Sequence, residues 1–397
     1  MSLRAIRILV ADDQQDVAQT LTEPLRTADA SVQFARNGQE ALQIITAGGI
    51  DLLIADMKMP PDDWGGLWLL AQLEQAGMAL PTLVLSGEGQ YQQVVEALRL
   101  GARDWLAKEQ ADSELVPRCK ALIDSALRAA IESMATVGPS PLAFGYARYQ
   151  QALGTDRQYD EGLRRIEEAV RFVALVGLAA VGPSRTSDRK IRPEMFVRPS
   201  FGTWLEVFLD LVSVCEDSPI FSSLSRSLMP ESDKTLRRIV KLRNDVHHGR
   251  GAGSSSDHEL VARTTSIIAH RLMVIPLSVG TNAQMSLVKG ALEIDYKQHR
   301  GVVPPRAARF SVADNQLLRS PDPYLFSGIA SPLCMSPWLS TFQNDAPTPP
   351  SIGIFDGVRA KNLKRPLADD LLLYVDLGLN DACRCRSKSE QVIPVEK

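Results

Sequence analysis

The sequence predicts an α/β doubly wound, five-stranded parallel sheet over roughly its first 130 residues, then an all-α segment and a small β-rich C-terminal unit. Three observations carry this reading. Short apolar runs alternate five times with amphipathic stretches before about residue 133, the pattern of parallel strands joined by helical crossovers. From about 146 to 278 apolar residues recur only at helical spacing. From about 279 the chain turns rich in Pro, Gly and short alternating runs such as "ALEIDY", "SIGIFDGV" and "LLLYVDL".

The elements follow in order. Strands are expected at about 5–11, 31–35, 50–55, 81–85 and 102–106, and helices at about 14–28, 37–47, 65–77, 90–100 and 113–133. Asn37-Gly38 and Gly48-Gly49 punctuate the first half. Residues 5–128 are therefore one domain, and 129–145, containing "MATVGPSPLAFG", read as a linker. A helical domain spans 146–278, with helices in "YDEGLRRIEEAVRFVALVGLAAVG", "SFGTWLEVFLDLVSVC", "ESDKTLRRIVKLRNDVHHG" and "DHELVARTTSIIAHRLMVIPL". Asp160 with Glu161, Ser200, and Ser232 with Asp233 supply capping oxygens. Gly182-Pro183 and Gly249 read as stops, and 183–199 and 250–257 as polar loops. The β-rich region spans 279–385, and 386–397 read as a solvated tail.

With 397 residues, 45% apolar and 23% charged, the chain has a globular composition and room for two or three domains. Its opening "MSLRAIRILVADD" lacks a signal-peptide core, and no apolar run nears a membrane span. Five scattered cysteines form no disulfide framework, which points to a reducing cytoplasm. Cys383-x-Cys385 has no second ligand pair nearby and argues against zinc. Residues 1–130 hold 11 Lys+Arg against 18 Asp+Glu, and the remainder 33 against 29. The front is acidic, and the back is far less basic than a dedicated nucleic-acid binder.

Five polar positions carry the chemistry. Asp12 and Asp13 end "IRILVADD", Asp56 ends "IDLLIAD", Ser86 ends "PTLVLS", and Lys108 follows "ARDWLA". In an open parallel sheet, ligands bind outside the carboxyl ends of the strands. Three acids, a hydroxyl and an amine converging there suit a divalent cation and a phosphoryl group.

At these positions, and at "MKMP" behind Asp56 and "GARDWLAK" around Lys108, residues 5–128 resemble the receiver domain of two-component response regulators, a flavodoxin-like fold. The resemblance implies that Asp56 is the phosphoacceptor, taking its phosphoryl group from a sensor histidine kinase or phosphotransfer protein. It implies a receiver that catalyses its own phosphorylation, Mg²⁺ held by Asp12, Asp13, Asp56 and the backbone carbonyl of Lys58, and homodimerisation on activation. Lys108 would pair with the phosphoryl oxygens, Ser86 would donate a hydrogen bond to them, and Trp105 would be the aromatic switch; static packing is the alternative for Trp105.

Two departures stand out. Receivers usually carry proline after the lysine, with a cis bond; here Glu109 follows. A cis bond before a non-proline residue costs about 2.5–4 kcal/mol, so the loop is expected to be trans or else strained. The loop "MKMPPDDWGG" is one residue longer before its glycine than the common pattern, and its extra acids Asp62 and Asp63 are expected near the mouth of the site.

The region after residue 130 has no helix-turn-helix signature, which argues against a DNA-binding output. "LRNDVHHG" resembles the Arg-Asn-x-x-x-His motif of HEPN-type helical domains, at Arg243, Asn244 and His248. That resemblance implies either an RNA-cutting or RNA-binding output or an interaction module. The plain alternative is that His247 and His248 end a helix, where the dipole favours them. Arg243 and His247, four apart, share a helix face, and His248 lies well round from Arg243. An output that controls protein interaction is the favoured expectation.

Overall fold

The computed structural model describes residues 3–87, 91–181, 191–215, 217–229, 233–249, 251, 253–288, 291–312, 318, 322–342, 351–359, 371–376, 382–386 and 392–394. It divides into two compact units: residues 1–131, 222–235 and 263–276 form one, and 132–221, 236–262 and 277–397 the other.

The first unit is built on β1 (Arg7–Ala11), β2 (Ser31–Ala35), β3 (Leu52–Ala55), β4 (Thr82–Ser86) and β5 (Asp104–Ala107). All pairs are parallel, in the order β2-β1-β3-β4-β5. Helices α1 (Gln15–Thr27), α2 (Gly38–Thr46), α3 (Gly65–Gln75), α4 (Tyr91–Arg99) and α5 (Ala111–Val137) alternate with the strands. This is the doubly wound sheet that the sequence predicts. β3 and β4 are buried along their whole length, as central strands covered on both faces must be, which is why they read as unbroken apolar runs. Asn37 caps α2 as its side chain accepts from the Glu40 amide at 2.8 Å.

The expected linker at 129–145 is helical. α5 continues to Val137, and α6 (Ser140–Ala152) begins after only Gly138 and Pro139. "GPSP" resembles a linker because proline breaks helix interiors, but prolines before and within a first turn block no intrahelical hydrogen bond. Leu142, Ala143, Tyr146 and Tyr149 bury the face of α6.

Helices α7 (Gln158–Val181), α8 (Phe201–Val212), α10 (Asp233–His247) and α11 (Ser255–Val274) match the four expected helices. Ser200 caps α8 by accepting from the Thr203 amide. α9 (Pro219–Leu228) was not foreseen: its serines lower helix propensity. Its apolar residues Ile220, Phe221, Leu224 and Leu228 are buried at helical spacing. Ser232 and Gly182-Pro183 lie outside the described residues.

The C-terminal region is β-rich as expected, but forms two antiparallel sheets rather than one unit. β6 (Ser278–Val288), β7 (Ala291–His299), β8 (Arg306–Val312), β9 (Tyr324–Phe326) and β10 (Leu333–Cys334) are ordered β10-β9-β6-β7-β8. β11 (Leu339–Phe342), β12 (Ser351–Arg359), β13 (Leu371–Asp376), β14 (Ala382–Arg386) and β15 (Val392–Pro394) follow in chain order. Part of the expected 386–397 tail is thus sheet, with Arg386 opposite Val392; three residues of pairing leave too short an apolar pattern to read. Cys383 and Cys385 stand in β14 opposite Val375 and Leu373. Among the described residues no helix is long and apolar enough to cross a membrane.

Candidate phosphoacceptor site

The carboxyl ends of β1, β3, β4 and β5 bring the expected residues together. The Asp12 amide donates to the Ala35 carbonyl at 3.0 Å and the Asp56 amide to the Ala11 carbonyl at 2.8 Å, so the ladder itself places each acid one residue past its strand. Carboxylate oxygens of Asp12, Asp13 and Asp56 all lie within 4.8 Å of one another. Asp12 and Asp56 are buried, at 2% and 5% exposure, while Asp13 is exposed. Lys108 directly follows β5, and its Nζ lies 2.8 Å from Asp12 Oδ2 and 3.2 Å from Asp56 Oδ1. Ser86, the last residue of β4, is buried.

Electrostatics follow from this packing. Burial pushes the Asp56 carboxyl up to about 6, reinforced by the Asp12 charge and opposed by Lys108. For Lys108, burial acts against the charge, but hydrogen bonds and charge from Asp12 and Asp56 outweigh it, and its pKa rises above the usual ammonium value. Three carboxylates facing one ammonium leave a net negative site in a poorly solvated place. That donor set, all hard oxygens, fits a divalent cation such as Mg²⁺.

Several neighbours were not picked out by sequence reasoning. The Gln14 amide donates to Asp12 Oδ1 at 2.8 Å, and the Gln15 side chain donates to the Asp12 and Ala35 carbonyls. Gly65 and Gly66 open α3 against the loop after Asp56. A Cβ on Gly66 would lie 2.4 Å from the Asp56 carbonyl oxygen and 3.0 Å from Met57 Cα, both backbone. The signal was the Gly-Gly pair at a helix start, legible as a close approach but not its target. Gly66→Ala is therefore expected to displace the Asp56 loop, costing about 1–3 kcal/mol and slowing phosphorylation by acetyl phosphate. Unchanged urea unfolding and labelling rate would refute this.

The lengthened loop contains the cis bond Pro60–Pro61, while Lys108–Glu109 is trans as expected. Asp62, Asp63 and Lys58 are exposed. Trp105 is half-buried, packed with Trp64, Leu67 and Leu100 against the Met57–Leu70–Val84 cluster, and its buried Nε1 has no hydrogen-bond partner among the described residues. Asp104 anchors the start of β5 with two 3.0 Å contacts from Arg118.

The second candidate set lies in the other unit, at the end of α10. Arg243 Nε donates to Glu167 at 3.2 Å, while Asn244 and His248 are exposed. The His248 amide donates to the Asn244 carbonyl, and Gly249 follows at φ +68°. This is a helix ending on a left-handed glycine.

A family model for the response regulator receiver domain matches residues 8–120. "Response regulator MprA" of Mycobacterium tuberculosis (strain ATCC 25618 / H37Rv) is 34% identical over 211 residues, 52% of this chain and 86% of the relative. The chain belongs to the response-regulator family. The MprA protein of Mycobacterium ulcerans is similar to the regulator at 32% identity over 208 residues, 52% of this chain and 86% of that one. Among solved structures, the receiver domain of Francisella response regulator 1452 is 30% identical, covering 30% of the regulator and 98% of that chain, with a TM-score of 0.28. Response regulator protein TrrA from Thermotoga maritima, in complex with Mg(2+)-BeF, is 27% identical over 30% of the regulator and 98% of that chain, with a TM-score of 0.27. The regulator is thus a two-component response regulator with its receiver at the N-terminal end.

Proposed function

We propose that this response regulator accepts a phosphoryl group on Asp56 from a histidine kinase or phosphotransfer protein and relays it to a helical output that controls protein interaction. The observation that carries the phosphoacceptor role is the Asp56 carboxylate: buried, 3.2 Å from Lys108 Nζ and grouped with Asp12 and Asp13. Phosphoryl transfer asks the protein mainly for positioning and charge neutralisation. An Asp56 oxygen attacks phosphorus as the phosphorus–nitrogen bond of the donor phosphohistidine breaks. The bonding pair returns to the imidazole, which takes a proton from solvent. Lys108 steadies the incoming phosphoryl charge while remaining tied to Asp12, and Ser86 donates a hydrogen bond to the phosphoryl group. Asp12, Asp13 and Asp56 would hold Mg²⁺, with the Lys58 carbonyl as a further ligand. When bound, that cation neutralises charge on the phosphoryl oxygens.

Trp105 supports a signalling role because its indole N–H is buried with no partner among the described residues, and a rearrangement that gave it one would be favourable. Intrinsic fluorescence of the full chain, with and without Mg²⁺ and beryllofluoride, tests this; no change at Trp105, isolated by Trp105→Phe, would reduce it to packing.

For the output, the interaction reading is favoured over an RNA-cutting one by the Arg243–Glu167 pair, which occupies the cation that an RNA site would need. Labelled RNA incubated with wild type, Arg243→Ala and His248→Ala is expected to remain uncut in all three. Cleavage by wild type lost in both variants would reverse the choice. Sedimentation with and without beryllofluoride reads the expected homodimerisation.

A further inference from the structure

The end of the parallel sheet remote from Asp56 is closed by segments distant in sequence, Arg271 lying 220 residues from Asp51, that belong to the same compact unit. Asp51 immediately precedes β3, and both its side chain and that of Arg271 are fully buried. The Arg271 guanidinium holds the carboxylate as a fork, Nε to Oδ1 at 2.8 Å and NH2 to Oδ2 at 2.6 Å. It also donates to the carbonyls of Ala5 at 2.8 Å and Met229 at 3.2 Å. The Arg7 amide at the start of β1 adds a 2.7 Å bond to Asp51 Oδ2. His270 Nε2 stands 2.9 Å from the Asp51 carbonyl, which can only accept, so His270 carries its proton there.

The contacts continue around this joint. Arg7 donates to the carbonyls of Arg226 and Met229 at 3.1 and 2.6 Å, closing the C-terminal end of α9. Gly48, at φ +86°, admits the Ser223 backbone, which a Cβ would meet at 2.3 Å. The Ala79 amide donates to Val274, and Ile267 is part of the apolar core beneath β1 and β3.

We infer that residues 222–235 and 263–276 form a fixed base of this receiver, locked by Arg271 on Asp51, so that a change at Asp56 is transmitted along β3 into the second half of α11. The reasoning is mechanical. β3 is four fully buried residues, with the phosphoacceptor at one end and the Arg271 fork at the other. A strand hydrogen-bonded on both sides moves as a body, and a buried bidentate pair has one geometry. The receiver therefore is not a detachable module here. Signal transfer along this route rests on the phosphoacceptor reading above; the lock itself does not.

The test is amide hydrogen exchange on the full chain for wild type, Arg271→Lys and Arg271→Met, each with and without Mg²⁺ and beryllofluoride. In wild type, amides of 263–274 should exchange as slowly as those of β1 and β3, and should respond to the additive together with 56, 86 and 108. Arg271→Met should speed exchange of 263–274 by on the order of 100-fold and abolish the response there while sparing the response at Ser86 and Lys108. Arg271→Lys, which keeps the charge and loses the fork, should fall between. The lock is overturned if Arg271→Lys and Arg271→Met leave protection of 263–274 as in wild type; transmission is overturned if wild type responds at 56, 86 and 108 but not at 263–274. Silence at 56, 86 and 108 themselves would instead count against the phosphoacceptor reading, and the arm without additive would still decide the lock.

Discussion

Asp56→Asn is expected to gain no phosphoryl group from acetyl phosphate and Mg²⁺, where wild type gains one per chain by intact mass. Asparagine keeps the size and burial of the side chain but has no anionic oxygen to attack phosphorus. The same variant should stabilise the metal-free fold. The Asp56 carboxyl titrates at about 6 in the folded chain against 3.8 for an unperturbed group. Between those values the folded state holds more protons than the unfolded state, so stability falls as pH rises through that window and stays low above it. The ionised Asp56 thus weakens the fold at neutral pH, on the order of 1–2 kcal/mol after allowing for the solvent that reaches it. In a chelator, thermal unfolding of Asp56→Asn should exceed wild type near pH 7, and the two should converge near pH 4. Mg²⁺ should narrow the difference at pH 7. Labelling of Asp56→Asn at the wild-type level would overturn the assignment, and a stability difference independent of pH would overturn the burial argument.

Asp51→Ala is expected to be the most destabilising single change in the first unit, by about 3–5 kcal/mol. It strands the fully buried Arg271 guanidinium with only carbonyl acceptors and leaves the Arg7 amide without its 2.7 Å acceptor. A cation taken out of water without its counter-charge pays a desolvation cost that neutral oxygens do not offset. Urea unfolding in the absence of metal measures this directly. Because Asp51 lies at the far end of β3 from Asp56, the loss should persist at saturating Mg²⁺. A loss below about 1 kcal/mol would show that water or a rearranged Arg271 compensates.

The two sites differ in how far the sequence exposed them. Asp12, Asp13, Asp56, Ser86 and Lys108 each end a short apolar run, and the topology of a parallel sheet brings such ends together, so local pattern sufficed. Trp105 was legible as a position, but the burial of its Nε1 was not, since that depends on what α4 and the neighbouring strands leave uncovered. Asp51 falls within the strand expected at 50–55 and Arg271 within the helix expected in "DHELVARTTSIIAHRLMVIPL", and neither pattern marks its residue out. Nothing local distinguishes a fully buried pair from two solvated charges when 220 residues separate the partners.

The misread stretches have the same origin. "GPSP" between α5 and α6 and the serines of α9 argue locally for a break, and burial of Tyr146, Tyr149, Phe221 and Leu224 overrides them. Helix propensity is worth tenths of a kcal/mol per residue, and burying one such side chain about 1.5–3 kcal/mol.

By itself the sequence determined the doubly wound receiver, its alternation of strands and helices along the chain, and the acids, hydroxyl and amine that stand at the strand ends of the candidate phosphoacceptor site. Each of these depends on alternation over a few residues and on strand ends that topology must gather. Only the tertiary structure decided that 222–235 and 263–276 belong to the same unit as the sheet, and that Arg271 closes on Asp51. Such pairing is set by which surfaces must leave water together, and that is a property of the packed chain rather than of any segment in it.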